Sequence, residues 1–457
     1  VYASVDVGTT SVRLALYDDD FERKHQEAIT VPLEDGYQNA ELLYRGVRHL
    51  LRRARELGAI SAGISTYRAS VVIWRKDGTP VSNIATWLAQ PRVKRRILLR
   101  ILSRAPAVSV LFSGGSPLLR FLALLSQNPS AEESVKKGEL YAWGIDAYLL
   151  HRLAGRYASD VTNASLSGFI NPANLRPFWF VPVVLGINPV LPEVIENTGE
   201  LATCEGLRIT SLIGDQQAAC VAEGALGPGI AKVTNGTGSF TDIPLGSYAR
   251  RGRLIPVVLL SHKQRIYYGV EGYLPTAGAA ADTLLRLGIL KDFSEIELAS
   301  DNGGVYMVPS LRGLQLPRFT TVKGMVYGID TGTSRLNIVR ALGEGIAFHV
   351  RWVLEESGTK PAVIRANGKL SLSDRLLSLI SDATGTRVER QPDIEGTARG
   401  LAMLQALSEG RASPSELARQ PTGAKAFEPK SDPKLEEAYE KWRKLVRSLK
   451  NCQSLSK

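Results

Sequence analysis

Val1, Val5 and Val7, followed by Val12, Leu14 and Leu16, put apolar side chains on both sides of the polar segment Asp6 to Ser11. The second run alternates strictly, and the pair predicts two strands joined by a tight turn. Tyr44 to Leu57 carries a helical pattern and Ala62 to Ser65 a strand pattern. The segment EGALGPG at Glu223 to Gly229, with three glycines and a proline, then interrupts the chain, and a new strand pattern, Ala231 to Thr234, follows it at once. The clearest helix is predicted over Arg335 to Glu356, where Leu336, Val339, Leu342, Ile346, Val350 and Val353 form one stripe, Ser334 is a ready N-cap and Gly358 follows the end. His349 lies inside it and reads as structural. Beyond it, Val363 to Ala366 (strand), Ser373 to Thr384 (helix), Thr386 to Arg390 (strand) and Thr397 to Ser408 (helix) alternate, which predicts an α/β fold. Asp432 to Lys450, dense in both signs of charge, reads as an exposed terminal helix.

The turn between the first two strands, Gly8, Thr9, Thr10, Ser11, returns as Gly236, Thr237, Gly238, Ser239 near the middle of the 457-residue chain. Glycine admits an anion close to the backbone, and the hydroxyls add donors, so such a turn cradles phosphate without a lysine. One copy alone reads as an ordinary hairpin with a polar turn. Two copies at half-length spacing point to two related domains, divided as 1–226 and 227–457, that together hold a polyphosphate. Asp6, at the end of the first strand, is placed to hold a magnesium ion directly or through water.

Composition narrows the class. Hydrophobic residues make up 44% and charged residues 22%, which suits a globular chain with ample core. No apolar run nears the roughly 20 residues of a membrane-spanning helix, so no membrane association is expected. The N-terminus opens directly on a strand pattern, so a cytoplasmic protein without a signal peptide is expected. Cys204, Cys220 and Cys452 lack metal-type spacing, and neither a disulfide framework nor a zinc site is expected. The net charge of +11 raises nucleic acid as a partner. Arg92 to Arg104 concentrates Arg92, Lys94, Arg95, Arg96, Arg100 and Arg104 beside Ile97, Leu98, Ile101 and Leu102, a basic amphipathic helix pattern. It is either a solvated face over an apolar stripe or an anion-attracting surface. The remaining basic residues are dispersed, and nucleic acid is not the expected partner.

Asp215 follows the apolar Leu212 and Ile213 in the run Gly214, Asp215, Gln216, Gln217, which places its carboxylate at a strand's end, where open α/β sheets bind ligands. On the residues alone it is either a catalytic acid/base group or the N-cap of a helix from Gln216 to Val221. Longer motifs bear on this choice. VDVGTTSVRLALYD, AGISTYRASVVIW with NIATW, GELYAWGIDAYLLHRLAG with DVTNAS, LIGDQQAAC, KVTNGTGSF, VEGYLPTAGAAADTLLRLG and VPSLRGLQLP with KGMVYGI occur in this order. They resemble segments of the FGGY carbohydrate kinase family, and within it the glycerol kinases, along nearly the whole chain.

That resemblance implies two actin-like (ribonuclease H-like) ATPase domains flanking a central cleft, with substrate and catalytic base on 1–226 and nucleotide on 227–457. It implies ATP and Mg2+ as cofactors, a small polyol or sugar as substrate, and a homodimer among the assemblies its members form. The aspartate matching Asp215 is the family's general base and shares metal binding with Asp6. Gly8, Thr9, Thr10 and Arg13 match positions around the transferred phosphoryl group, although Arg13 also reads as a strand arginine facing solvent. Thr237, Gly278, Gly368 and Lys369 match the nucleotide side; Gly278 stands before the helix pattern Ala279 to Leu287, whose N-terminus favours an anion, or is simply a small residue at a tight contact. Arg68 and Gln216 match hydroxyl ligands, and Trp87 and Phe240 match aromatic walls.

The sequence departs from the glycerol kinase pattern at the acceptor. Ala69 stands where a glutamate is usual, and Leu111, ahead of Phe112 and Ser113, where a tyrosine is usual. A substrate hydroxyl left without its partner costs about 1–3 kcal/mol, so glycerol is not expected to be the preferred acceptor. Asn367, Gly368, Lys369 replaces an Asp, Gly, Gly turn, which substitutes a lysine contact for a close backbone approach. A pentulose kinase of the xylulokinase or ribulokinase type, a chaperone-like ATPase of the actin superfamily, and a catalytically silent member that binds a partner are the other readings.

Overall fold

The structure, a computed structural model, describes residues 1–89, 111, 116–315, 317–318, 320, 322–417 and 423–449. The basic pattern Arg92 to Arg104 lies outside the described residues. The described chain divides into two compact units, the first made of Val1–Ala222, Val257–Tyr267 and Thr397–Leu417, the second of Glu223–Pro256, Tyr268–Gly396 and Ala418–Lys457.

The first unit is built on a six-stranded sheet of β1 (Tyr2–Val7), β2 (Ser11–Tyr17), β3 (Arg23–Thr30), β4 (Ser61–Thr66), β5 (Thr198–Cys204) and β6 (Leu207–Gly214), in the order β5-β6-β4-β1-β2-β3. β1, β4 and β6 run parallel, while β2, β3 and β5 are antiparallel to their neighbours. The period-two pattern has its consequence here: Val5, Val7, Val12 and Leu14 are fully buried. Helix Ala40–Glu56 starts where the Asn39 side chain accepts the Leu42 N–H, and it buries Leu43, Val47, Leu50, Leu51 and Ala54. Each large aliphatic side chain removed from water contributes about 1.5–3 kcal/mol. From Thr397 onward, helix Gly396–Ser408 lies against this sheet: Gln405 donates to the Ala3 carbonyl at 2.8 Å and accepts from Ser61 at 3.1 Å.

The second unit repeats the plan. β7 (Ile230–Asn235), β8 (Ser239–Pro244), β9 (Arg265–Leu274), β10 (Val363–Asn367), β11 (Arg387–Arg390) and β12 (Lys425–Phe427) lie in the order β9-β8-β7-β10-β11-β12. β7, β10 and β11 are parallel, and β8, β9 and β12 are antiparallel to their neighbours. In these six of the sheet's seven strands the order and directions are those of the first sheet. Helix Arg335–Ser357 is closed at its start by a capping box of Ser334 and Asn337 and at its end by left-handed Gly358. The terminal helix is exposed on its charged side, as the sequence leads one to expect, but Pro433–Ser448 also buries Leu435, Ala438, Tyr439, Trp442 and Val446, a stripe at helical spacing beneath the charges.

Candidate active site

Three parallel strands of the first unit end side by side. Val7 and Gly214 both register with Thr66, from opposite sides, so two strand spacings place their Cα atoms about 10 Å apart. Just before or beyond these ends stand Asp6, the Gly8 turn, Arg68 and Asp215, the position at which parallel α/β sheets present ligands.

Each side chain there is held by its surroundings. The Gly8 N–H donates to the Ser11 carbonyl at 2.9 Å, closing the turn, while the Thr9 carbonyl accepts from Gln38 at 2.8 Å and the Thr10 carbonyl from Val31 at 2.9 Å. Asp6 accepts the Ser65 hydroxyl on Oδ1 at 2.7 Å, and its Oδ2 is 4.0 Å from Arg13, its cross-strand neighbour. Asp215 is the first residue of helix Asp215–Ala222; its Oδ1 accepts the Gln216 N–H at 2.8 Å and lies 3.5 Å from Nε of the buried Arg68. The backbone beneath is fixed too: Gly214 N–H donates to the Thr162 hydroxyl at 2.9 Å, and the Asp215 carbonyl accepts from Thr397 at 3.3 Å. Trp87 Nε1 donates to the Thr9 hydroxyl at 3.2 Å, which ties the aromatic side chain to the turn. Leu111 is half-buried against the first core.

Asp160 anchors Thr162. It accepts the Thr162 N–H at 2.9 Å, the Thr162 hydroxyl, the Asn163 side chain at 2.7 Å and Asn197 at 3.1 Å. Its neighbour in charge is Asp146, whose carboxyl is raised above the usual carboxylate range, first by complete burial and then by Asp160; the hydrogen bond from the Ser159 hydroxyl opposes that shift without overcoming it.

The second unit holds another set. Its turn closes through Gly236 N–H to the Gly238 carbonyl at 2.8 Å. Helix Ala277–Arg286 begins one residue before Gly278, and the N–H groups of Gly278 and Ala279 donate to the Thr237 carbonyl at 3.0 and 3.2 Å, so the helix start holds the turn in place. A side chain at Gly278 would run into the Gly236 carbonyl oxygen. Gly368 has φ of 86°, and a Cβ there would sit 2.7 Å from the Asn235 carbonyl oxygen, so this close approach requires glycine. Lys369 is exposed, with its ammonium 5.2 Å from the centre of the Phe293 ring. Phe240 stacks on Tyr273, ring centres 5.2 Å apart.

Asp6, Gly8, Thr9, Thr10, Arg13, Arg68, Trp87, Asp215 and Gln216 thus belong to the first unit, and Thr237, Phe240, Gly278, Gly368 and Lys369 to the second. Residues that motif reading passed over are Ser65, which orients Asp6, and Arg120, a buried guanidinium that donates to the Ala69 carbonyl at 3.1 Å and the Trp87 carbonyl at 2.7 Å. A lone charged residue among the apolar positions Leu118 to Leu125 of helix Pro117–Gln127 was the available signal for Arg120.

Two copies of one sheet plan, each with a glycine and threonine turn after its first strand, are the plan of a two-domain actin-like ATPase fold. Residues 1–205 match the N-terminal domain and residues 231–409 the C-terminal domain of the FGGY family of carbohydrate kinases. A glycerol kinase from Coxiella burnetii is 30% identical, covering 97% of this chain and 96% of that protein, and an uncharacterized sugar kinase from Archaeoglobus fulgidus is 29% identical, covering 97% and 98%. Among solved structures, Plasmodium falciparum glycerol kinase with ADP superposes with a TM-score of 0.84 at 24% identity, over 98% of this chain and 97% of that one. Xylulose kinase from Lactobacillus acidophilus does so with 0.86 at 17% identity, over the full length of both. The chain belongs to the FGGY family of carbohydrate kinases, enzymes that transfer a phosphoryl group to a small carbohydrate. Among the described residues, no helix is long and apolar enough to cross a membrane.

Proposed function

We propose that this chain uses ATP and Mg2+ to phosphorylate a hydroxyl of a small polyol or sugar, in a glycerol kinase-like site with an altered acceptor pocket. The observation that carries this reading is the meeting of Asp215, Asp6 and the Gly8 turn at the ends of three adjacent parallel strands. Asp215 accepts the proton of the acceptor hydroxyl as that oxygen bonds to the γ-phosphorus and the bond to the β-phosphate oxygen breaks, releasing ADP. Arg68, 3.5 Å from Asp215, orients the acceptor beside the base, and Trp87 packs on its carbon skeleton. The Gly8 turn and Arg13 receive the transferred phosphoryl group. On the second unit, the turn at Thr237, braced by Gly278, and the Gly368 to Lys369 corner receive the nucleotide.

The carboxylates of Asp6 and Asp215 suit magnesium. They offer hard oxygen donors, and magnesium characteristically takes one or two protein carboxylates with water and substrate phosphate. When bound, the ion offsets phosphate charge. The departures at Ala69 and Leu111 support an acceptor other than glycerol.

Measurement of ADP release with ATP and Mg2+ over glycerol, erythritol, ribitol, xylulose, ribulose and gluconate tests this reading. Acceptor-dependent release, with glycerol not giving the highest kcat/KM, is expected. Release that no acceptor stimulates would overturn it.

A further inference from the structure

The first unit contains a small cavity lined by Ala69, Ser70, Trp143, Asp146, Asn163 and Phe169, among others, beginning at the residue next to Arg68. It offers ≈ 20 Å³ to the centre of a water-sized molecule, enough for one water or one hydroxyl. Asp146 is 1% exposed; its Oδ2 accepts the Ser159 hydroxyl, and its Oδ1 has no hydrogen-bond partner among the described residues. Asn163 is fixed by donating to Thr66 at 3.1 Å and Asp160 at 2.7 Å. The wall at Ala69 is rigid: its φ is 58°, and Arg120 ties its carbonyl to that of Trp87. Its side chain ends at Cβ, so the cavity stays open at this point. A buried polar atom lacking a partner, in a hydroxyl-sized space walled in part by the residue that follows Arg68 in the chain, is complementary to a hydroxyl carried on a longer carbon chain than glycerol's.

We infer that this cavity is an acceptor subsite that takes one hydroxyl of a four- or five-carbon polyol or sugar, with Asp146 as its hydrogen-bond partner; the inference rests on the kinase reading above. One buried hydrogen bond corresponds to about tenfold in kcat/KM. The test measures the kcat/KM ratio of ribitol, and of erythritol, to glycerol in the wild type, Ala69→Met and Asp146→Asn. Ala69 already holds its backbone conformation with a Cβ, and Met adds no branch there, so this variant fills the cavity without new backbone strain. The wild type is expected to favour at least one longer acceptor by about tenfold. That ratio should fall to within about threefold in Ala69→Met and drop by about threefold or more in Asp146→Asn, chiefly through KM. A wild type that favours glycerol, or ratios unmoved in both variants of an active enzyme, would overturn the subsite and leave the cavity to an ordered water. A wild type inert toward every acceptor would overturn the kinase reading, and the subsite with it. If neither variant folds, calorimetric titration of the wild type decides: ribitol binding at least about tenfold tighter than glycerol upholds the subsite, and equal binding overturns it.

Discussion

The two sheets share a topology but not an interior. Four positions before the first glycine of each turn, the first sheet has Ser4 and the second Lys232. Across the parallel strands, Ser4 registers with Gly63 and Gly63 with Ser211, whereas Lys232 registers with Arg365 and Arg365 with Glu389. The small row lets a helix approach closely: a Cβ at Gly63 would meet Leu401 at 3.3 Å. The charged row is buried only as a ladder, with Lys232 2.7 Å from Asp242 and both fully buried, and Arg365 3.4 Å from Glu389. One fold plan therefore tolerates opposite chemistries, provided each row is complete across its strands.

The turns differ in the same spirit. The first hairpin closes at Val7 and Val12, leaving four residues between, and the second at Asn235 and Ser239, leaving three. Counted from the first glycine, Asp6 and Arg13 of the first correspond to Thr234 and Thr241 of the second. A carboxylate and a guanidinium thus flank the first turn where two threonines flank the second.

The largest effect is expected where this contrast is steepest. Lys232→Met leaves Asp242 as a buried charge without its ammonium, and denaturant unfolding should register a loss of about 3–5 kcal/mol; a loss below 1 kcal/mol would remove the ladder from the account. Next, Asp215→Asn should lower kcat at least about a hundredfold, and retained turnover would remove this carboxylate from the proton transfer. Gly278→Ala, which forces the second turn off the Gly236 carbonyl, should raise the nucleotide KM about tenfold through strain of roughly 1–2 kcal/mol. Unchanged nucleotide KM would mean that this brace does not shape the cradle.

The smallest effect sharpens the contrast between buried and half-exposed charge. Glu41 is held below the usual glutamate range, first by its hydrogen bond from Arg152 and, secondarily, by Arg45. Because the folded-state value is the lower one, its stabilisation is full above the unfolded value of 4.5 and is lost as pH falls below it. With partial exposure this amounts to about 0.5–1 kcal/mol. Thermal unfolding from pH 6 to pH 3 should fall less steeply in Glu41→Gln than in the wild type, and parallel curves would show that the pair carries no stability.

Much of this was legible in the chain. The hairpins announced themselves through period-two apolar positions around glycine turns, and Asp215 through a carboxylate directly after an apolar strand. Tertiary partners were not. Ser65 faces Asp6 only because β4 pairs in parallel with β1, and Lys232 meets Arg365 across more than a hundred intervening residues. The exposed side of the terminal helix is legible in its dense charges, which overshadow Leu435, Ala438, Tyr439, Trp442 and Val446, whose spacing marks a buried face.

The division of labour proposed for the two units can be measured in one calorimetric experiment, titrating nucleotide into Asp215→Asn and Gly278→Ala side by side. The account predicts a Kd within about twofold of wild type for the first and about tenfold weaker for the second. Strong weakening in Asp215→Asn with none in Gly278→Ala would contradict it.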